Sequence, residues 1–440
     1  MKFQIQQSKE KLTSHSGLAF VGGLIQKSNL KTNIDAVKFG SFYKGSYLDS
    51  DIACSMIGLL SVGKTDFDDI EFFREDQYFA LSLNLSKDIA PSSPTIRQRL
   101  DAADVGWDIA VTKSNNKLLR DEAVITSCPT GHVRLDLDTS PMDNSRSHKE
   151  GVSMTYKHFD GYCPMFAYLG QEGYMIHVEL RPGKDHSQNG TPEFLRQTIR
   201  NARKITDKPL LVVLDSGCDS IDNVMILRKA HSDYIIKRNL RKEKAEQWLE
   251  IAKADASPNE IRPGKIEYVG NTALLRDEVG VPLRVVFRVV VKTIDDDDGQ
   301  RLIIPKIEVE TYWTSLDLPA HEIIELYHAH GTMEQFHSEF KTDMGLERLP
   351  SGYFATNTRI MFLGMFAYNV LRLIGQYSLQ HDMYRLKKRN VFRRRLRSVM
   401  QDLIYLAARL VRKSNSWWIS FGIHCPYYSV FRKSYFNLVT

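Results

Sequence analysis

Up to about residue 120 the apolar positions recur every three or four residues, which predicts helices. YLDSDIACSMIGLLSVGK (residues 47–64) shows this spacing. APSSPTIRQRLDAAD sets Pro94 and Thr95 ahead of a basic amphipathic run, a helix-start signal. Arg97 and Arg99 on that run fit a phosphate contact or a solvated face equally well. The pattern then changes. HVRLDLD (132–138) alternates as a strand does, and YMIHVELRPG (174–183) is a second strand closed by Pro-Gly. KPLLVVLDSG (208–217) is a continuous apolar run, as expected of a strand buried on both faces. SDYIIKRN (232–239) is a fourth strand, and CDSIDNVMILRKAH between the last two reads as a helix. This order predicts an α/β fold around a central sheet.

From about residue 265 to 313 the segments KIEYVG, TALLRD, LRVVFRVVVKTI and LIIPKIEVETYW predict a mainly antiparallel, β-rich insertion. DDDDGQ (295–300) between two of them reads as a solvated hairpin tip, because successive residues cannot all point at one ion. Helices return after Trp313. IMFLGMFAYNVLRLIG (360–375) is the greasiest stretch, but Asn369 and Arg372 interrupt it, so it reads as a buried helix and not a membrane span. The expected organisation is an N-terminal helical region (1–120), an α/β core (125–264 and 314–380) split by the insertion (265–313), and a basic C-terminal helical region (381–440).

Composition is that of a soluble globular chain of 440 residues, long enough for two or three cores. The net charge of +6 says little, but its distribution says more. Residues 385–413 hold eleven Lys or Arg against one acid, Asp402, which points to a polyanion such as nucleic acid, or to a solvated helix face. Five widely spaced cysteines without a CxxC argue against a disulfide framework or cysteine zinc site and fit a reducing cytosol. MKFQIQQSKEKLTSH has no apolar signal core. The expected location is therefore the cytoplasm, associated with the nucleoid.

Two apolar strands end in carboxylates, RLDLDTS with Asp136 and Asp138, and VVLDSG with Asp215. An Asp at the end of a buried strand can meet water and a hard cation such as Mg2+ at the sheet edge. Two such ions about 4 Å apart can drive phosphoryl transfer. Asp215 could equally cap the following helix. A third acid lies in YHAHGTMEQFHSEFK (327–341). On a helix, about 100° per residue places Tyr327, His330, Glu334 and Lys341 within roughly 60° of one another, with Phe336 and Phe340 turned to the core. His328 and His330 diverge by about 200°, and no HExxH is present, so a histidine zinc site is disfavoured.

The sequence of Asp at a strand end, Asp after an apolar strand, β-rich insertion and then Tyr-x2-x-x3-Glu-x6-Lys resembles the DDE transposases of bacterial insertion sequences with the "YREK" signature. EGVSMTYKHFDGYCPMFAYLG and VELRPGKDHSQNGTPEFL are similar to the subgroup named after IS1380, and the resemblance covers roughly residues 20–435. It implies an RNase H-like catalytic core with a β insertion, and cut-and-paste DNA transposition with Mg2+ or Mn2+. Asp138, Asp215 and Glu334 would be the catalytic and metal-binding triad. Asp138 is preferred because the family's first Asp lies just before a Thr or Ser pair, here Thr139-Ser140, and Asp136 is the runner-up. Tyr327 and Lys341 match DNA-end contacts. YIIKRNLRK matches a strand and turn that carry Lys237 and Arg238 to the DNA backbone, and Trp313 or Tyr312 would stack a flipped base, although both fit the core equally well. The partners implied are double-stranded DNA (inverted-repeat ends and target) and a second copy in a homodimeric synaptic complex, with no membrane.

One position departs from the signature: His330 stands where the family has Arg. Arg grips a phosphate with two donors, whereas His is neutral much of the time near pH 7 and offers one. Either the contact is weakened, or a nearby Arg such as Arg348 or Arg359 supplies it, or the chain binds ends and cuts them poorly. A DNA-end-binding remnant or repressor and a stand-alone RNase H-like nuclease are therefore the competing functions.

Overall fold

Leu210–Leu214 is apolar and wholly buried, so the segment must lie inside a sheet covered on both faces. In the computed structural model, which describes residues 2–37, 46–276, 278–295, 300–381 and 391–439, it does. The sheet strands are β1 (Val133–Thr139), β2 (Met165–Leu169), β3 (Tyr174–Glu179), β4 (Leu210–Leu214) and β5 (Asp233–Lys237). They are followed by β6 (Asn259–Arg262), β7 (Lys265–Leu275), β8 (Pro282–Ile294) and β9 (Arg301–Thr314). Their spatial order is β6-β7-β8-β9-β5-β4-β1-β2-β3. Within β1 to β5, only β2 runs against its neighbours: β1 pairs in parallel with β4, β4 in parallel with β5, and β2 antiparallel with β1 and β3.

The β-rich insertion extends this same sheet, because the end of β9 pairs with β5 through Tyr312–Lys237 and Trp313–Ile236. KIEYVG and TALLRD, read as separate segments, form one strand, β7, whose register with β8 runs unbroken through Gly270. Asp295 and Gln300 join by a backbone hydrogen bond, closing the β8–β9 hairpin; the tip between them, with three of the four adjacent Asp, lies outside the described residues.

Residues before the sheet are helical, with α1 (Leu18–Ser28), α2 (Asp49–Ser61), α3 (Ser93–Ala102) and α4 (Val105–Glu122) among them. Helix α5 (Thr191–Ile205) leads into β4, and α6 (Ile221–Lys229) joins β4 to β5 as a crossover. Helices α7 (Ala320–His328), α8 (Met333–Ser338) and α9 (Phe354–Leu379) complete the core. The polar residues interrupting α9 are interior anchors. Asn369 bonds both backbone groups of Met175 on β3 and the Asn115 side chain on α4. Arg372 is fully buried and reaches Glu339, the Tyr368 hydroxyl and the Arg394 carbonyl. No helix among the described residues is long and apolar enough to cross a membrane.

The C-terminal region differs from a purely helical expectation. SWWISF is a strand, β11 (Ser416–Phe421), paired with β10 (Ala408–Lys413), and β10 also pairs with Leu12–Thr13 near the N-terminus. Its β-branched and aromatic residues favour a pleated surface over a helix. Helix α10 (Tyr428–Val439) then packs on α1 through Phe431 and Phe20, with ring centroids 4.6 Å apart.

Candidate active site

The parallel pairing of β1 and β4 ends at Leu137–Leu214. The next residue on each strand is an aspartate, so Asp138, still paired with Phe166, and Asp215, just past its strand, stand side by side at the carboxyl edge of the sheet. Asp138 is partly exposed and accepts the Thr139 amide at 2.7 Å. Asp215 accepts the Gly217 amide at 3.0 Å, capping the turn Ser216–Cys218, while Ser220 caps α6. Burial and the neighbouring Asp138 charge hold the Asp215 carboxyl above its ordinary range, against His330 and the Gly217 amide. Two adjacent carboxylates, one short of solvent, suit a hard divalent cation. Among the described residues no three His, Cys, Asp or Glu form a ready-made cage.

Asp136 points to the same face of β1 but has a different environment. It is fully buried, and both oxygens are taken: Arg134 Nε lies 2.7 Å from Oδ2 and His330 Nδ1 lies 2.8 Å from Oδ1. Arg134 goes on to donate to the Ala329 carbonyl at 2.9 Å and Thr332 Oγ1 at 3.1 Å. The alternation of HVRLDLD therefore records a buried ion network and not a solvated face.

The segment carrying the signature is helical but irregular. A 3-10 turn, Ala329–Thr332, separates α7 from α8, and a π turn, Glu339–Asp343, follows α8. These shift the stripe expected of a regular helix. Phe336 and Phe340 are buried as expected. Glu334 is exposed and lines a cleft with Gln335, Ser338, Glu339, Phe392, Arg393 and Arg395; no hydrogen bond or ion pair among the described residues joins it to Asp138 or Asp215. The side chain that α8 does send to Asp138 is His337, whose Nε2 lies 3.5 Å from Asp138 Oδ2. The π turn is clamped by arginines: Glu339 takes Arg372 and Arg393, and Asp343 takes Arg395 and Arg397.

Tyr327 is half-buried, 4.7 Å from the Tyr312 ring and 5.8 Å from the His330 ring. Burial, with Asp215, Tyr312 and Asp138 nearby, raises its pKa, so it remains a neutral donor. Lys341 is half-buried and donates to the Pro141 carbonyl at 3.0 Å. Burial lowers its pKa against the pull of Glu347. Lys237 lies 5.8 Å over the Tyr327 ring and 3.5 Å from Glu310, which brings it to the same edge. His330 is buried in the Asp136 pair, and Arg134 is the arginine beside it. Arg348 is exposed near Asp143 and Lys149, and Arg359 lies near Asp108, so neither takes that place.

Arg238 and Trp313 are core residues in this structure. Arg238 is buried, with its guanidinium 4.5 Å from the Trp313 ring and 2.6 Å from Glu243. Trp313 is buried, and its indole donates to Asp219 at 3.0 Å; Tyr312 is buried on the opposite face of β9, against Tyr327. Arg97 and Arg99 pair with Asp68 and Asp49. Four of the basic-block residues, Arg385, Lys387, Lys388 and Arg389, lie outside the described residues.

Three residues of this neighbourhood lie in stretches singled out in the sequence but had no role assigned there: Arg134, His337 and Tyr156. Tyr156 keeps more than half of its surface exposed; partial desolvation beside Thr139, with Asp138, Cys163 and Asp215 near, pushes its phenol up to about 12. Only the position of Arg134 two residues before Asp136 was a usable signal, since alternation puts both on one face.

No curated protein matches the sequence. A chain from the cryo-EM structure of a piggyBac transposase synaptic complex with hairpin DNA aligns with 91% of this chain and 82% of its own length, at 12% identity and a TM-score of 0.40. The family described as Transposase DDE domain group 1 matches residues 1–440. With two strand-end aspartates at one sheet edge and that match over its whole length, the chain belongs to this family and is a DDE transposase, a DNA-cleaving enzyme.

Proposed function

We propose that the chain performs cut-and-paste transposition of an insertion sequence on an RNase H-like core, with Asp138 and Asp215 holding a divalent metal at the reacting phosphate. The carrying observation is that these two aspartates follow directly on the last paired residues of neighbouring parallel strands. The order β3-β2-β1-β4-β5 with β2 alone reversed supports the RNase H-like reading. Asp138 is favoured over Asp136 because both Asp136 oxygens are committed to Arg134 and His330.

A bound Mg2+ or Mn2+ would supply Lewis acidity to the attacking and leaving oxygens. The chain's own groups bind and orient the DNA around it. Tyr327, kept protonated, donates to a phosphate oxygen. Lys341 and Lys237 set positive charge beside it. Glu334, at the family's third position, joins the pair when DNA ends are bound. Nicking, hairpin formation, hairpin opening and strand joining are each an in-line attack on phosphorus, so one carboxylate cluster serves all of them. Double-stranded ends and target DNA are the substrates, and two copies act in the synaptic complex.

A second reading, a chain that occupies ends but cuts them weakly, is favoured by the exposed Glu334 and by His330 being committed to Asp136. Incubating the protein with end-containing DNA and Mg2+ beside Glu334→Gln separates the two. Cleavage by the wild type that collapses in the variant supports the triad; equal cleavage removes Glu334 from it. If His330→Arg raises cleavage sharply, the weakened reading gains.

A further inference from the structure

We infer that His337 is a positioning residue that fixes the Asp138 carboxylate for metal binding, an inference that rests on Asp138 and Asp215 being the metal pair. His337 is buried on α8, and its ring packs beside Phe166 and Tyr168 of β2 at centroid distances of 5.0 and 5.5 Å. The Tyr168 hydroxyl lies 3.4 Å from Nδ1. Tyr168 is fully buried and stays a neutral phenol, so its O–H can donate to Nδ1 and leave the ring proton on Nε2. Nε2 has no hydrogen-bond partner and lies 3.5 Å from Asp138 Oδ2.

A buried N–H is costly to leave without an acceptor, and the acceptor that Nε2 faces is Asp138 Oδ2. Here the neighbour is the partly exposed carboxylate at the end of β1. The Thr139 amide holds Oδ1, and His337 faces Oδ2, so the two donors define the rotation of the carboxyl group. His337 Nε2 faces Asp138 Oδ2, which assigns the imidazole to the carboxylate. The imidazole is locked by aromatic packing, so it can orient Asp138 before DNA or metal arrives. Outer donors of this kind commonly carry a roughly 10–100-fold share of metal affinity.

The test is Mn2+ titration of the full-length protein, followed by electron paramagnetic resonance, with pulsed detection of nitrogen coupled to the bound ion. Asp138→Asn and Asp215→Asn should abolish binding; binding as tight as wild type in both would remove the metal-pair reading itself. With that pair established, His337→Ala should weaken Mn2+ by roughly 10–100-fold. His337→Gln, whose amide can still donate to Asp138, should recover most of the loss. Tyr168→Phe, which keeps the packing and loses the hydroxyl, should weaken Mn2+ several-fold while remaining folded by circular dichroism. Wild-type affinity in both His337→Ala and Tyr168→Phe would overturn the inference, as would a nitrogen bound directly to Mn2+ in the wild type.

Discussion

His330 Nδ1 lies 2.8 Å from Asp136 Oδ1, tying the turn that precedes Glu334 to the strand that ends in Asp138. Asp136 is fully buried and also holds Arg134. Removing one member of a buried ion network leaves the others uncompensated, at a cost of about 3–5 kcal/mol. Asp136→Asn should therefore lower unfolding free energy by an amount in that range, measured by urea denaturation. Asp138→Asn, at a partly exposed position facing another acid, should not. Equal stability of Asp136→Asn and wild type would mean that the network is not structural.

The same pair gives a pH signature. Burial acts to lower the His330 pKa, but the hydrogen bond and charge of Asp136, with Asp138 beyond, more than reverse it, so the folded value is above the ordinary one. The unfolded value is about 6.5. The stabilisation from protonated His330 is thus fully present below about pH 6.5 and is lost as pH rises through the folded pKa. The stability difference between wild type and His330→Gln should shrink over that rise, as followed by denaturation at stepped pH values.

How far the chain reveals itself by sequence follows from the kind of signal involved. Leu210–Leu214 and the helix Phe354–Leu379 are legible because long apolar runs have few alternative placements. Asp138 and Asp215 are legible as strand ends, since chain direction fixes where a strand stops. The path of the 327–341 segment is not legible, because 3-10 and π turns change the angular step and no residue type announces them. His337 therefore reaches Asp138 while Glu334 faces a cleft. Trp313, which fits a base-stacking role or the core equally well by sequence, and Arg238, read as a backbone contact, stack on each other in the core, a tertiary pairing that spacing cannot show. The hairpin of Trp417 and Trp418 needs Leu12–Thr13 as its third strand, from the other end of the chain.

Asp215 carries a different linkage. Its folded pKa is raised by burial and by Asp138, so its ionisation costs stability as pH climbs above the unfolded value of about 3.9 and up through the folded value. Near pH 7, without divalent metal, Asp138→Asn should be as stable as wild type or more so. Millimolar Mg2+ or Mn2+ should raise the wild-type melting temperature and leave Asp138→Asn and Asp215→Asn unmoved. Equal shifts in all three proteins would place the ion elsewhere.

The last 38 residues contain five Lys or Arg and no acid. On the hairpin they include, Lys413 lies 4.9 Å over exposed Trp418 and Arg412 5.6 Å from exposed Trp417. Each phosphate neutralised contributes about 0.9 to the slope of log affinity against log salt. If this face meets DNA, Arg412→Ala with Lys413→Ala should flatten that slope by roughly 1.8 for end-containing duplex. An unchanged slope would mean that the hairpin does not touch the backbone.

The central claim is that Asp138 and Asp215 act together on the reacting phosphate. The most direct measurement is single-turnover cleavage of duplex carrying the element's end in Mg2+, comparing wild type with Asp215→Asn and checking DNA binding in parallel. The expected result is retained binding with cleavage reduced by roughly a hundred- to a thousandfold, the scale on which removing key electrostatic stabilisation of a transition state is felt. Cleavage by Asp215→Asn at the wild-type rate would contradict the account.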